Sequence, residues 1–421
     1  TLFTITSFSQ NQVWFFGSYE VVGGKKSFGL DFSSGSPVQR NGESAIDYYE
    51  SVSVVSDNSG ELLYYTDGVK FFDGSHRTMV GVPGYNPGIP TAGEIKGPKD
   101  GSSGTAVQGA YSVLKPGSKT EYYLFTSQGI DGSANGFRVN RIDMSLPGNG
   151  DAGAPRGEMV SADSLLLVTG SELMTAYGNC GSDSIWLITH SPSSYDFVRV
   201  LITSGGIRSV TKQTVATPTE GGGAGFSIAP GRGSMDINSD GTKLLFTAMN
   251  NAGAFILDFN KHTGEVSNPI EIRVPSGVGS GTYPFTGYGS EFSPDGTKAY
   301  FCSIQAVWGI DGIWQYDIAS GDLMSKVPGS AGRNFAEIIT GVDGKLYVGK
   351  VRQENQMTLG VIDNPNNPLG SVGFDADAIV FPALGGNAAI SYAMPQGYFC
   401  PLSPECEIDS VFEVCSTDAP F

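Results

Sequence analysis

This sequence predicts an all-β chain, on three observations. A short phrase recurs in it: Ser56-Asp57-Asn-Ser-Gly60-Glu-Leu-Leu-Tyr-Tyr65, Asp236-Ile-Asn-Ser-Asp240-Gly241-Thr-Lys-Leu-Leu-Phe246, Ser293-Pro-Asp295-Gly296-Thr-Lys-Ala-Tyr-Phe301 and Val342-Asp343-Gly344-Lys-Leu-Tyr-Val348. The 421 residues include 59 Gly and 23 Pro but only 16% charged side chains, which suits many short strands and turns and fits neither disorder nor long helices. The copies recur at intervals of roughly 50 to 60 residues, as in repeat proteins that use one continuous architecture.

In each copy a Gly after or near Asp supplies the left-handed residue that closes a hairpin, and a β-rich run follows it. Counted along the chain, the runs are Val13 to Phe16, Leu62 to Thr66, Tyr122 to Thr126, Ile185 to Thr189, Leu244 to Ala248, Ala299 to Ser303 and Leu346 to Lys350. A second signal comes after them, a hydrophobic-Asp step before a turn: Leu30-Asp31-Phe32, Ile142-Asp143-Met144, Leu257-Asp258-Phe259, Tyr316-Asp317-Ile318 and, more loosely, Ile362-Asp363. Its carboxylate is placed to accept hydrogen bonds from the turn amides that follow.

With one leading strand added, the module is a four-stranded antiparallel sheet, the blade of a β-propeller. Seven copies predict seven blades over residues 11–398. The first copy has no room for its leading strand, so the orphan run Ala388-Ala-Ile-Ser-Tyr-Ala393 is expected to complete that blade and close the ring, leaving no exposed strand edge there. Residues 1–10 read as a signal-peptide remnant or an extra N-terminal strand. Residues 399–421 read as a cysteine-containing tail and a possible linker to a further domain. The Gly- and Ser-rich stretches Gly81 to Gly109 and Ser204 to Gly233 are expected to be loops that carry function.

A net charge of -17 repels phosphate backbones, so nucleic acid is excluded as a partner. No run of 18 apolar residues is present, and no membrane-spanning helix is expected. Cys400, Cys406 and Cys415 crowd the end of the chain and are disulfide candidates in an oxidising compartment, with Cys180 and Cys302 apart from them.

The ordered series from Val13-Trp-Phe-Phe-Gly17 and Gly29-Leu-Asp-Phe32, through Tyr64-Tyr-Thr-Asp-Gly68 and Tyr122-Tyr-Leu-Phe-Thr126, to Gly360-Val-Ile-Asp-Asn-Pro-Asn366 resembles a family of exported propeller proteins of Bacteroidota. The later copies are similar to those of lactonase-type and WD40-like propellers. The first resemblance implies a secreted or cell-surface location, type IX secretion or gliding motility, and a role in adhesion or assembly.

Motifs for chemistry are sparse. His76, His190 and His262 stand in different repeats without ligand spacing, and there is no nucleophile elbow, P-loop or dinucleotide fingerprint. No cofactor is expected, with Ca2+ as the one candidate cation: Asp236, Asn238 and Asp240 look like the opening of a calcium loop, although Thr247 stands where its bidentate acidic ligand would be. Trp308, Asp311 and Trp314, with Tyr283 and Tyr288, place aromatics and a carboxylate in segments where they could stack on glycans or anchor a protein. The 42 acidic residues make any choice of a catalytic carboxylate pair arbitrary. The function expected is a non-enzymatic adhesion, binding or structural module whose partners are extracellular proteins or surface glycans. One alternative is a lactonase- or glycoside-hydrolase-like enzyme at the channel mouth. Another is a subunit of a multi-chain filament, with a partner chain at the N-terminal strand or C-terminal tail.

Overall fold

The structure, a computed structural model, describes residues 12–16, 27–46, 51–81, 108–127, 136–178, 183–215, 232–248, 253–304, 310–350, 357–382 and 394–398, apart from positions 58, 69, 169, 192, 193, 195, 276, 277, 279–284 and 286. They form seven antiparallel blades in a ring, as the repeat count predicts.

The first blade holds β1 (Val13–Phe16), β2 (Phe28–Asp31) and β3 (Val38–Gln39), and the second β4 (Ser53–Ser56), β5 (Leu62–Thr66) and β6 (Phe71–Asp73). The third contains β7 (Ala110–Leu114), β8 (Glu121–Thr126), β9 (Phe137–Asp143) and β10 (Glu158–Leu167). In the fourth are β11 (Met174–Gly178), β12 (Ser184–His190), β13 (Asp196–Thr203) and β14 (Gly206–Thr214), and in the fifth β15 (Gly233–Ile237), β16 (Lys243–Ala248), β17 (Gly253–Asn260) and β18 (Glu265–Ile272). The sixth has β19 (Ser290–Phe292), β20 (Lys298–Ser303), β21 (Gly312–Asp317) and β22 (Ser325–Lys326), and the seventh β23 (Phe335–Thr340), β24 (Leu346–Lys350), β25 (Thr358–Ile362) and β26 (Phe374–Val380). A last short strand, β27 (Gly397–Tyr398), lies parallel to β7. Among the described residues the helical content is a single 3-10 turn at Leu369–Ser371.

The repeated phrase folds as its residues dictate. Gly60, Gly241, Gly296 and Gly344 have φ of 84°, 69°, 71° and 75°, and each amide donates back across its turn, to Asp57, Asn238, Ser293 and Gly341. In the later copies the Lys after the turn reaches the Asp at or near the end of the third strand: Lys243 to Asp258 at 2.5 Å, Lys298 to Asp317 at 3.1 Å and Lys345 to Asp363 at 2.6 Å. Asp31, Asp143 and Asp317 accept the following turn amides, the role predicted for that step. One expectation is corrected: the stretch from Ser204 to Gly233 is not all loop, because Gly206–Thr214 pairs along β13 as the fourth blade's outer strand.

The core is divided into apolar layers between neighbouring blades. Trp14, Phe32 and Tyr347 pack the seventh blade on the first, Tyr64 and Tyr122 the second on the third, and Phe197 and Phe246 the fourth on the fifth. The seventh-to-first layer matters most here, since it brings β1 and Met394 to one interface. The expected closing strand Ala388 to Ala393 lies outside the described residues, as do residues 1–10 and 399–421. Met394 is buried in that same layer.

Candidate functional site: an axial channel lined by carboxylates

Each strand that follows an Asp-Gly turn is second from the axis; the leading strands β4, β7, β11, β15, β19 and β23 pack against one another around it. Small hydroxyl side chains on these strands allow the close approach. Ser53 pairs with Ser112 at 2.7 Å between the second and third blades, and Ser234 with Ser290 at 2.8 Å between the fifth and sixth.

Three carboxylates stand beside this belt, from three successive blades. Asp236 on β15 accepts the Phe292 amide of β19 at 2.8 Å through Oδ2. Glu291 on β19 accepts the Thr340 amide of β23 at 2.8 Å through Oε1. Glu337 on β23 accepts the Met394 amide and, at 2.8 Å, the Gln396 side-chain amide. Each acid thus ties its own blade to the next stretch of chain around the ring.

With Tyr111 and Trp14 these carboxylates line a cavity of about 210 Å³, whose described lining includes no Lys or Arg. Burial raises Asp236 to about 7, against the lowering effect of the Phe292 and Ile237 amides. Glu291 is pushed well above the carboxylate range, first by burial and then by the charge of Asp236. Neighbouring half-buried carboxyls disfavour double ionisation, so the pair retains a proton near neutrality. Burial also raises the phenol of Tyr111, against its hydrogen bond to Thr175, and the charges of Asp236 and Glu291 raise it further, so Tyr111 remains a donor. The arrangement can give and take a proton at neutral pH in a pocket whose described lining holds no cation.

The sequence-level candidates fare differently. Asp236 faces the channel, whereas Asn238 accepts the Thr242 and Lys243 amides and Asp240 the Thr242 amide and hydroxyl, so the donors of the calcium-like motif are split between channel and turn. Among the described residues no cluster of three or more His, Cys, Asp or Glu is placed to hold a metal ion. Trp314 is buried between the fifth and sixth blades, with Nε1 donating to the Ile310 carbonyl at 3.0 Å. Tyr288 is buried as well, and Asp311 accepts the Gly332 amide and faces Lys326 at 3.4 Å. These three serve the interior rather than an external face. Trp308, Tyr283, Cys180, Cys400, Cys406 and Cys415 lie outside the described residues. Cys302 is a buried thiol, raised well above its ordinary pKa by burial.

Sequence reasoning missed Glu291 and Glu337. A signal for Glu291 existed: Asp236 and Glu291 each stand four residues before the Asp of an Asp-Gly turn, Asp240 and Asp295. The seventh blade breaks that pattern. Ile339 holds the equivalent position, and Glu337 lies two residues earlier at a register irregularity between Phe335 and Ile338.

No family model matches the chain, and no curated protein is significantly similar to it in sequence. Solved structures align with most of the chain at low identity, with TM-scores below 0.5. A Bacteroides fragilis protein, provisionally described as a 6-phosphogluconolactonase, is 12% identical, with 91% of this chain and 98% of that one aligned and a TM-score of 0.48. A Bacteroides thetaiotaomicron quinonprotein alcohol dehydrogenase-like protein is 12% identical over 91% and 78%, with a TM-score of 0.44. The periplasmic gluconolactonase of Pseudomonas aeruginosa is 11% identical over 88% and 85%, with a TM-score of 0.43. These likenesses concern the fold alone.

Proposed function

We propose that this propeller binds a small polar molecule in its axial channel and acts on it hydrolytically, with Asp236 and Glu291 as the acid–base pair. The observation that carries the reading is the pair itself: two carboxylates from equivalent positions of adjacent blades, half-buried in the wall of a cavity and raised toward or above neutral pH. A carboxyl held near 7 suits general acid–base work at physiological pH. Tyr111 is the donor available to polarise a substrate oxygen, and Ser290 and Thr175 are hydroxyls that suit a ligand rich in hydroxyl groups. The substrate class that fits is a sugar lactone or glycoside, neutral or cationic, since an anion would meet carboxylates without a lining cation. Export and surface location belong to this proposal on the sequence resemblance alone. The adhesive reading has less support, because its described candidates Trp314, Tyr288 and Asp311 are committed to the interior.

The test is turnover of a panel of sugar lactones and aryl glycosides by the intact chain, beside Asp236→Asn and Glu291→Gln. Turnover that falls at least about 100-fold in each folded variant is the expected result. A panel left untouched by the wild type, or hydrolysed equally by both variants, overturns the reading.

A further inference from the structure

The channel contains a piece of the chain's own C-terminal region. Met394, Pro395, Gln396, Gly397 and Tyr398 cross from the seventh-to-first layer to the inner edge of the third blade, where Gly397 and Tyr398 pair in parallel with Ser112 and Val113. The segment touches four blades on the way. Met394 and Gln396 bond to Glu337 of the seventh. The Gln396 amide donates to the Val52 carbonyl at 2.8 Å, and its own carbonyl accepts Ser53 Oγ at 2.6 Å, both from the second. The Tyr398 hydroxyl donates to the Gly178 carbonyl of the fourth. Pro395, Gln396, Gly397 and Tyr398 form part of the cavity wall next to Asp236 and Glu291.

A second glutamine extends the segment's reach. Gln108, which immediately precedes the third blade, is buried, and its side-chain amide grips the residue before Asp236 as a neighbouring strand would: Oε1 accepts the Met235 amide at 2.9 Å and Nε2 donates to the Met235 carbonyl at 3.0 Å. The same Oε1 accepts the Met174 amide at 3.0 Å, and Nε2 lies 3.4 Å from Gln396 Oε1. Glu337, Gln396, Gln108 and the backbone before Asp236 therefore form one buried polar chain across the axis. Every bond in it runs between elements far apart in sequence.

We propose that Met394–Tyr398 is a built-in strap whose seating completes the axial site, with Gln396 and Gln108 as positioning residues that register the strap against Glu337 and hold the backbone leading into Asp236. The strap forms part of the wall that limits the acid pair's contact with water. With the strap displaced, the β7 edge and the cavity wall open, and the carboxyls rehydrate. The inference adds to the hydrolytic reading an assembly step, and it uses that reading only in calling the cavity a site.

The test is carried out on the full chain with Gln396→Met, which keeps the side chain's length but removes its hydrogen bonds, and with Tyr398→Ala, which weakens the strap's far end. Titration of the Asp236 carboxyl is followed by carbon-13 NMR, and seating is read from hydrogen exchange along β7. The groups facing Asp236 are Glu291 from β19 and Tyr111 from β7, with Glu337 next to Glu291, so the spectra follow Glu291 as well. In the wild type the Asp236 midpoint is expected near 7. In either folded variant it should fall by about one unit or more as burial is relieved, while β7 exchanges faster. Faster β7 exchange with an unmoved midpoint overturns the proposal, and so does wild-type behaviour in both measurements for both variants. A midpoint that moves while the wild type turns over no substrate refutes the hydrolytic reading and leaves the strap standing.

Discussion

Asp236 and Asp295 are both aspartates of the strand-and-turn module, both accept backbone amides, and their acidities move in opposite directions. At Asp295, burial alone would raise the carboxyl, but the amide of Thr297 and the hydroxyls of Ser293 and Thr297 outweigh it and hold the group below its ordinary value. At Asp236, backbone donors are present too, yet burial wins. The difference lies in solvent and in donor supply. Asp295 is exposed at a turn with hydroxyls around it; Asp236 is half-buried in the cavity wall, with another carboxyl as neighbour. One local sequence pattern therefore builds scaffold at its turn and a reactive position on the axis.

The strongest way to break the scaffold half of this comparison is through the turn glycines. Gly241 and Gly344 have nearly the same φ, 69° and 75°, but a Cβ on Gly241 would stand 2.4 Å from the Tyr177 ring, whereas one on Gly344 meets nothing within 4 Å. Gly344→Ala should cost about 1 kcal/mol from the left-handed backbone alone. Gly241→Ala should cost about 2–4 kcal/mol, because the ring of the neighbouring blade must also move. Denaturant melts of the two variants check this, and equal costs would mean that the turn does not lock onto the blade beside it.

The axial half is sharpened by pH. Asp236 has a folded pKa near 7, above that of an unfolded aspartate, so its contribution is fully present below about pH 4 and is lost as pH rises through 7. Asp236→Asn, which mimics the protonated acid, should therefore be more stable than the wild type at pH 8 and lose that advantage by pH 4. His190 works in the opposite sense. Its ring lies buried between Phe197 and Phe246 with neither nitrogen hydrogen-bonded, and burial lowers it to about 4. Stability that depends on keeping this ring neutral is lost as pH falls from about 6.5 toward 4. The two groups partly cancel over that interval, so His190→Leu should uncover the Asp236 slope, with stability rising more steeply toward acid than in the wild type. Melts across pH 4 to 8 for the two single variants separate the terms.

These contrasts also explain what the sequence could reveal. The blade count was legible because each Asp-Gly turn and each Lys-to-Asp pair is local, made by residues within one module, as with Lys298 and Asp317. The acid pair was only half legible: Asp236 drew attention through its turn, but its meaning depends on Glu291 about 55 residues later and on burial that no local pattern encodes. Gln108 and Gln396 were invisible for the same reason, since their bonds span 127 and 288 residues. The aromatics of Trp314 and Tyr288 misled because blade packing and glycan stacking call for the same side chains.

The smallest expected effect belongs to the turn carboxylate itself. Asp295→Ala removes the acceptor for the Thr297 amide and for two hydroxyls, but at an exposed position where water can replace them. The loss at pH 7 should stay below about 1 kcal/mol. Because the folded carboxyl is depressed, its contribution is present above the unfolded value near 4 and fades as pH falls through the lower folded value, so variant and wild type should converge toward pH 3. This is the opposite sense to Asp236, whose stabilisation grows in acid. Thermal melts at pH 3 and pH 7 decide it: a difference between Asp295→Ala and the wild type that widens in acid would place Asp295 in the same class as the axial acid and erase the distinction between turn and channel.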